Sequence, residues 1–275
     1  MKMKKNISSA VTYLILLVGA AWMLIPFLWM VLTSFKTYKE TVMVPIQWFP
    51  ARWNFDNYRE VLSKLQFSRY YANTILVTIC TLIPMTFLAT LSAYAFSRMN
   101  FPGKNILFGM QLIVFMVPAQ MTMVPKYMMI AELGWVDKLP GIVVPQIFSV
   151  YTMFMMRQFF TSVPADLDAA AKIDGCSYFG IFWRIDLPLV KNGFLAMTIL
   201  NLLSCWNDLL WPLISTSTDK MRVLSVAMAT INNTDSSKYH ILMAAGVLSI
   251  LPMLVLYAVF QKYFIEGIAS AGVKG

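Results

Sequence analysis

Asp166, Asp168 and Asp174 fall between Pro164 and Gly175 of a 275-residue chain in which charged residues make up only 13%. Carboxylates this close serve catalysis or metal binding only with the right companions, and these are missing. His240 is the only histidine, and Cys80, Cys176 and Cys205 lie in separate segments without paired spacing, so neither a metal-ligand cluster nor a nucleophile with its base is legible. The cysteines read as packing residues and His240 as a solvated or interfacial one. No GxxxxGK[ST] loop is present to cradle a nucleotide. The chain reads as non-catalytic, with no cofactor of its own.

A second polar set is uncharged and sits in apolar surroundings: Asn73, Gln111, Gln120, Gln146, Asn201, Ser204 and Asn207, with Asp208 the one charge among them. Amides and hydroxyls exchange hydrogen bonds with a neutral, hydroxyl-rich solute without desolvating a charge. The same groups also glue helices together, and the sequence leaves both roles open. Trp206, Trp211, Phe27 and Trp29 suit either stacking on sugar faces or anchoring at an interface. Ion-coupled transport calls for buried carboxylates, histidines or broken-helix ion sites, and their scarcity argues against it. A phosphate-bearing solute would favour basic residues along the path, and none is read deep in the apolar stretches.

The elements that position these residues follow from composition. At 59% hydrophobic residues and a mean hydropathy of +0.64, the chain is expected to be an integral membrane protein. A bilayer core needs about 20 apolar residues per helix, and six stretches qualify: Ala10 to Leu32, Ala72 to Phe96, Asn105 to Pro125, Leu139 to Met156, Asn192 to Ser215 and Ile241 to Gln261. The fold class is therefore an all-α membrane protein of six transmembrane helices. The opening MKMKK is read as flanking a retained first helix, because the apolar run is too long for a signal peptide and lacks a small-x-small site. The net charge of +9 is assigned to anionic lipid headgroups rather than nucleic acid. Arg98 and Lys104, in a short link without acids, place that link and both termini in the cytoplasm by the positive-inside rule. Pro26, Pro84, Pro118, Pro145 and Pro252 lie inside the stretches and predict kinks.

Between the fourth and fifth stretches lies VPADLDAAAKIDGCSYFGIFWRIDLP. Ser162 is expected to cap a helix whose first turn holds Pro164, Asp166 and Asp168. Asp174 and Gly175 supply a stop in which glycine takes the left-handed conformation. Ser177 caps a second short helix ended by Pro188. Tyr178, Phe179, Phe182 and Trp183 then form an aromatic surface that either meets a partner or folds back on its own helices.

This segment closely resembles the EAA motif of bacterial ABC importer membrane subunits. Ala170, Ala171, Gly175, Ile185, Leu187 and Pro188 are in register, and Pro164, Leu167, Ile173 and Asp174 match the extended form typical of carbohydrate importers. The motif glutamate falls on Ala169, with Asp168 beside it. ANTILVTICTLIPMTFLATLSAYAFSRMNFPGK, WNDLLWPLI and FIEGIASAGVKG are similar to the second span, the end of the fifth span and the tail of permeases like the six-span maltose-transporter subunit.

The resemblance implies a multi-pass subunit of the bacterial cell membrane that imports a sugar or oligosaccharide. Implied partners are a second homologous permease, two ATP-binding subunits that hold ATP and magnesium, and an extracellular solute-binding protein. Pro164, Leu167, Asp168, Ala169, Ala170, Ala171, Ile173, Asp174, Gly175 and Pro188 would couple to the ATPase. Asn73, Gln111, Gln146, Asn201, Ser204 and Asn207 are the candidates for the substrate path. The implied organisation is a first helix and outer segment over residues 1–70, a transmembrane domain over 71–265 with its loop at 161–190, and a cytoplasmic tail over 266–275. The alternatives are an ABC importer for another polar solute, such as glycerol phosphate, or an ion-coupled secondary transporter.

Overall fold

Prolines and isolated polar residues decide where the apolar stretches break. The computed structural model describes the backbone of residues 2–64, 66–234 and 238–272, and the side chains of 11–63, 66–230, 238–258 and 261. Among the described residues all regular structure is helical. Three helices are long and apolar enough to cross a membrane unbroken, Val11–Ser34, Phe67–Arg98 and Tyr239–Ala258, and bent pairs raise the number to as many as six. The chain divides into two compact units, residues 1–68 with 227–252 and residues 69–226 with 253–275.

The first unit is built on α1 (Lys2–Ser34), the short α2 (Tyr38–Thr41) and α3 (Asp56–Lys64). The apolar window of α1 is 0% buried within the chain, so lipid or another subunit must cover it. Its end is tied down by the segment that follows. Asn57 Nδ2 donates to the carbonyls of Ser34 and Lys36, 2.8 Å each, and Ser34 Oγ shares a 2.6 Å hydrogen bond with Tyr58 Oη. Lys36 is buried, with its ammonium 4.0 Å above the Trp29 ring and donating to Gln47 O. An amphipathic stem with a satisfied head makes that burial affordable.

In the second unit, α4 (Phe67–Arg98) continues through Pro84 without a break. The expected third stretch is not one straight helix. α5 (Lys104–Met116) ends at Val117, and Pro118 leads through a 3₁₀ turn into α6 (Met123–Glu132) at 97°. The fourth bends by 41° between α7 (Leu139–Val143), extended by a 3₁₀ turn to Gln146, and α8 (Val150–Thr161). Pro118 and Pro145 cannot donate a backbone hydrogen bond, so the helix yields at each.

The loop comprises α9 (Ala165–Ile173), α10 (Tyr178–Ile181), a π-helical turn (Phe182–Asp186) and α11 (Leu187–Leu189). α12 (Lys191–Asn207) leaves it at 84°. The expected fifth stretch is interrupted: Asp208 adopts an extended backbone, and α13 (Leu210–Ser215) follows as a separate helix. α14 (Leu224–Thr234) and α15 (Tyr239–Gly272) complete the chain.

The core of this unit packs Ala89, Ala93 and Tyr94 of α4 against Met153, Met156 and Phe160 of α8 and Met197 of α12. Small alanines let backbones approach and methionines fill what remains. Because lipid tails are as apolar as these side chains, contact packing rather than dehydration holds the cluster. Close packing also shows at Gly193, where a Cβ would lie 2.6 Å from the Phe159 ring. A second cluster packs Val77, Ile130, Ile142 and Val223 around Trp211, whose Nε1 donates to Ile142 O at 3.1 Å.

Candidate functional site: a clipped loop and a polar cleft

The loop begins later than its sequence suggests. Ser162 closes α8, with its hydroxyl donating to Phe159 O at 2.7 Å, and Pro164 occupies the cap of α9. Proline's fixed φ, −59° here, presets the turn, while its extended ψ of 131° starts a new helix direction. The end of α9 is as expected. Gly175 has φ +81°, its N–H donates to Lys172 O at 3.0 Å, and the Cys176 N–H donates to Ala171 O at 2.9 Å. This is a Schellman closure, which needs a residue free to enter the left-handed region. Ser177 Oγ accepts from the Gly180 N–H at 3.2 Å and caps α10. Pro188 does not end the second helix, because the wider π turn ahead of it leads into α11.

One face of the loop is held and the other is free. Asp168 and Ala171, three residues apart, turn inward at 8% and 5% exposure, which puts Ala169 and Ile173 on the outer face, Ile173 at 87%. Pro164, Ala170, Asp174, Gly175 and Pro188 are exposed as well, and Leu167 is half exposed. Asp168 therefore does not stand in on the outer face for the glutamate missing at Ala169. The aromatic residues divide in the same way. Phe182 is buried against Tyr94 and Phe160, whereas Tyr178, Phe179 and Trp183 are exposed, the last two stacked at 6.5 Å. Of the two expectations for this aromatic set, folding back on the chain's own helices holds for Phe182, while the other three rings are left exposed.

Behind the held face lies a charge cluster that the sequence did not disclose. Arg98, at the end of α4, places Nε 3.5 Å from Asp168 Oδ2 and Nη2 3.7 Å from Asp186 Oδ1, and Nη2 donates to Val163 O at 2.7 Å. Tyr94 Oη donates to Tyr178 O at 3.0 Å. Burial and the neighbouring Asp168 carboxylate push the Asp186 carboxyl up to about 6, against the pull of Arg98. Arg98 entered the sequence reading only as a topology signal, and Asp186 not at all.

The polar residues inside the apolar stretches separate into two groups. Gln146, Asn201 and Ser204 line one cleft of about 430 Å³ together with Lys126, Ser149, Phe148 and Tyr151. Asn201 also braces helices, accepting from Thr152 Oγ1 at 2.9 Å and donating to Thr86 Oγ1 at 3.3 Å. Gln146 Nε2 donates to Asp208 Oδ2 at 2.9 Å, which joins the bend before α8 to the break after α12. Unwound backbone at such depth is tolerated where it lines a cavity. Lys126 of α6, just past the expected third stretch, stands on the cleft wall within electrostatic reach of Asp208. The other group lies apart from this cleft. Asn73 ties α4 to the carbonyls of Lys220 and Arg222, 2.9 Å each, Asn207 donates to Leu203 O in its own helix, and Gln111 does not line it.

Apolar spans that bend around a polar cleft, with a helix–turn–helix loop held on one face only, define a polytopic membrane transport subunit. Residues 74–270 match the family described as "Binding-protein-dependent transport system inner membrane component", and the chain belongs to it. It is similar to the arabinooligosaccharides transport system permease protein AraQ of Bacillus subtilis (strain 168), 33% identical over 92% of this chain and 91% of that one. It is also similar to the diacetylchitobiose uptake system permease protein NgcG of Streptomyces coelicolor, 30% identical over 96% and 88%. Among solved structures, a chain of a bacterial ABC transporter involved in the import of the acidic polysaccharide alginate matches with a TM-score of 0.80 and 26% identity, over 94% of this chain and 97% of that one.

Proposed function

We infer that this chain is the permease subunit of an ATP-binding-cassette importer that carries a sugar or oligosaccharide across the bacterial cell membrane by alternating access. The observation that carries the reading is the loop of residues 165–189, fixed to the bundle by one face and exposing Ile173, Phe179 and Trp183 on the other. An apolar surface of this kind outside a bilayer fits a protein partner. We assign that partner to an ATPase subunit, two of which bind the ATP and magnesium that this chain has no loop to hold. A second homologous permease and an extracellular solute-binding protein complete the complex. The loop and both termini then lie in the cytoplasm. The assigned role of the tail from Gly267 to Gly275 at the ATPase interface rests on residues whose side chains lie outside those described.

The cleft supports a neutral solute over a phosphate ester. Lys126 is the one charged residue of the lining, with Asp208 within electrostatic reach, and the other polar groups there are amide and hydroxyl, which exchange hydrogen bonds with a neutral solute. Similarity to permeases named for arabinooligosaccharide and diacetylchitobiose transport points to the same substrate class. Nucleotide-driven closure of the ATPases would move the loop and switch the bent spans between inward-facing and outward-facing arrangements, and hydrolysis would reset them.

The test is a disulfide crosslink from Ala169→Cys to the ATPase in the purified complex, paired with Gly175→Val. The Gly175 Cβ would meet open space, but its φ of +81° strains a β-branched residue. The variant should keep the complex assembled and lower uptake per ATP hydrolysed about tenfold. No crosslink from the outer face, or undiminished uptake in Gly175→Val, would remove the loop from the coupling role.

A further inference from the structure

The buried charges behind the loop are poorly arranged for stability. Side-chain exposures are 8% for Arg98, 11% for Asp168 and 0% for Asp186. Two carboxylates face one guanidinium, and both oxygens of Asp186, Oδ1 of Asp168 and Nε of Arg98 make no hydrogen bond among the described residues. Buried ion pairs of this quality commonly gain nothing over apolar side chains of the same volume. Phe182, Ile181 and Ala171 already give the loop an apolar seat. What the charges add is direction, because apolar contacts leave a short helix free to roll.

The three contacts of Arg98 are distributed over the loop. Val163 O is the lead-in to α9, Asp168 is in its first turn, and Asp186 closes the π turn of the second arm. Among the described residues, Tyr94, also on α4, is the other charge-capable group that acts on Asp186. With Asp168 drawn inward, the helical period fixes Ala169 and Ile173 outward, so the clip sets which face of α9 a partner meets. Arg98 is also the last residue of the helix whose Met85 lines the polar cleft, about 20 Å away along the axis at 1.5 Å per residue.

We propose that Arg98 is a positioning residue that clips both arms of the loop, through Asp168 and Asp186, to the end of α4, so that the loop and this span move as one body and displacement at the loop reaches the cleft wall. The proposal rests on the reading of the loop as the ATPase-coupling element. It assigns a transmitting role to α4 and a function to two side chains, Arg98 and Asp186, that lie behind the docking face.

The experiment uses the whole importer complex in proteoliposomes, with the chain's three cysteines replaced by alanine and Leu200→Cys as a reporter in the cleft. ATP and vanadate are the only ligands added. The quantity read is the ATP-and-vanadate-dependent change in labelling of that cysteine by a membrane-impermeant maleimide, divided by the ATP hydrolysed without vanadate. A purely structural defect lowers both together and leaves the ratio unmoved. Arg98→Gln should lower the ratio about tenfold, and Arg98→Lys should recover part of it by keeping one charge contact at a time. Should Arg98→Gln fail to assemble, Asp168→Ala leaves Arg98 and Asp186 as a balanced pair and frees only the α9 arm, and its ratio should fall about fivefold. An unchanged ratio in the assembled variants overturns the clip while the permease reading stands. A native complex that binds no ATPase, or whose labelling ignores ATP, overturns the permease reading itself.

Discussion

The loop and the cleft, both within residues 69–226, place their few charges in opposite ways. At the loop, Arg98, Asp168 and Asp186 are hidden and the large apolar side chains face outward. At the cleft, Lys126, Gln146 and Asn201 line a cavity, with Asp208 held behind Gln146 by its hydrogen bond. Outward apolar groups on a rigid seat suit a protein surface that docks, whereas accessible amides and hydroxyls suit a hydrated solute that must bind and leave. On the proposed function, the loop receives force and the cleft offers a path, and α4 runs between the two.

The largest effect that would break this contrast comes from reversing the loop's outer face. Ile173→Asp puts a charge at the most exposed apolar position of α9, where the side chain is 87% exposed. The chain's own stability should change by less than about 0.5 kcal/mol. Affinity for the ATPase should fall by about 2 kcal/mol or more, some thirtyfold, read by co-purification across a dilution series. A variant that retains the partner at native strength would show that the exposed face is not where force enters.

A smaller effect sharpens the description of the cleft. Asp208→Asn keeps an acceptor for Gln146 but removes a negative charge within electrostatic reach of Lys126. Uptake of a neutral oligosaccharide delivered by its binding protein should fall about tenfold, and a uronate-bearing oligosaccharide should become a competitor. Lys126→Met in the same background should restore neutral uptake toward the native rate. Competition by the acidic sugar that is equally strong in native and variant complexes would mean that the pair does not set the charge preference.

What could be read in advance followed local rules. The left-handed turn at Gly175, the cap at Ser177 and the three unbroken spans each depend on a few adjacent residues or on the composition of one stretch. The misreadings share a different cause. Ser162 has a good capping side chain, but the preceding helix uses it, and Pro164 takes the position instead. Pro118 announced a kink, yet a bend of 97° depends on what the two arms pack against. The partnership of Asp168 with Arg98 crosses 70 positions of sequence, and only the i, i+3 spacing of Asp168 with Ala171 hinted that this carboxylate would turn inward. Lys126 was visible as a lone cation after an apolar run, but counting spans as straight rods placed it at an end rather than on a cavity wall.

The smallest effect tests whether the hidden charges behave as one buried set. Asp186 titrates near 6 in the folded chain, above the ordinary carboxylate value of about 4, because it is desolvated and shares its site with Asp168. Between those two values the folded chain holds more protons than the unfolded one, so this group stabilises the fold most below about pH 4, and the benefit is lost as pH rises through 6. From pH 5.5 to 7.5 the loss amounts to about 1 kcal/mol, a few degrees in the thermal midpoint of the detergent-solubilised complex. Other groups titrate across the same range, so the informative quantity is the difference between native and Asp186→Asn chains, in which this increment should vanish. Equal pH dependence in the two would mean that Asp186 is ionised throughout, and that Arg98 compensates both carboxylates more fully than distances of 3.5 and 3.7 Å suggest.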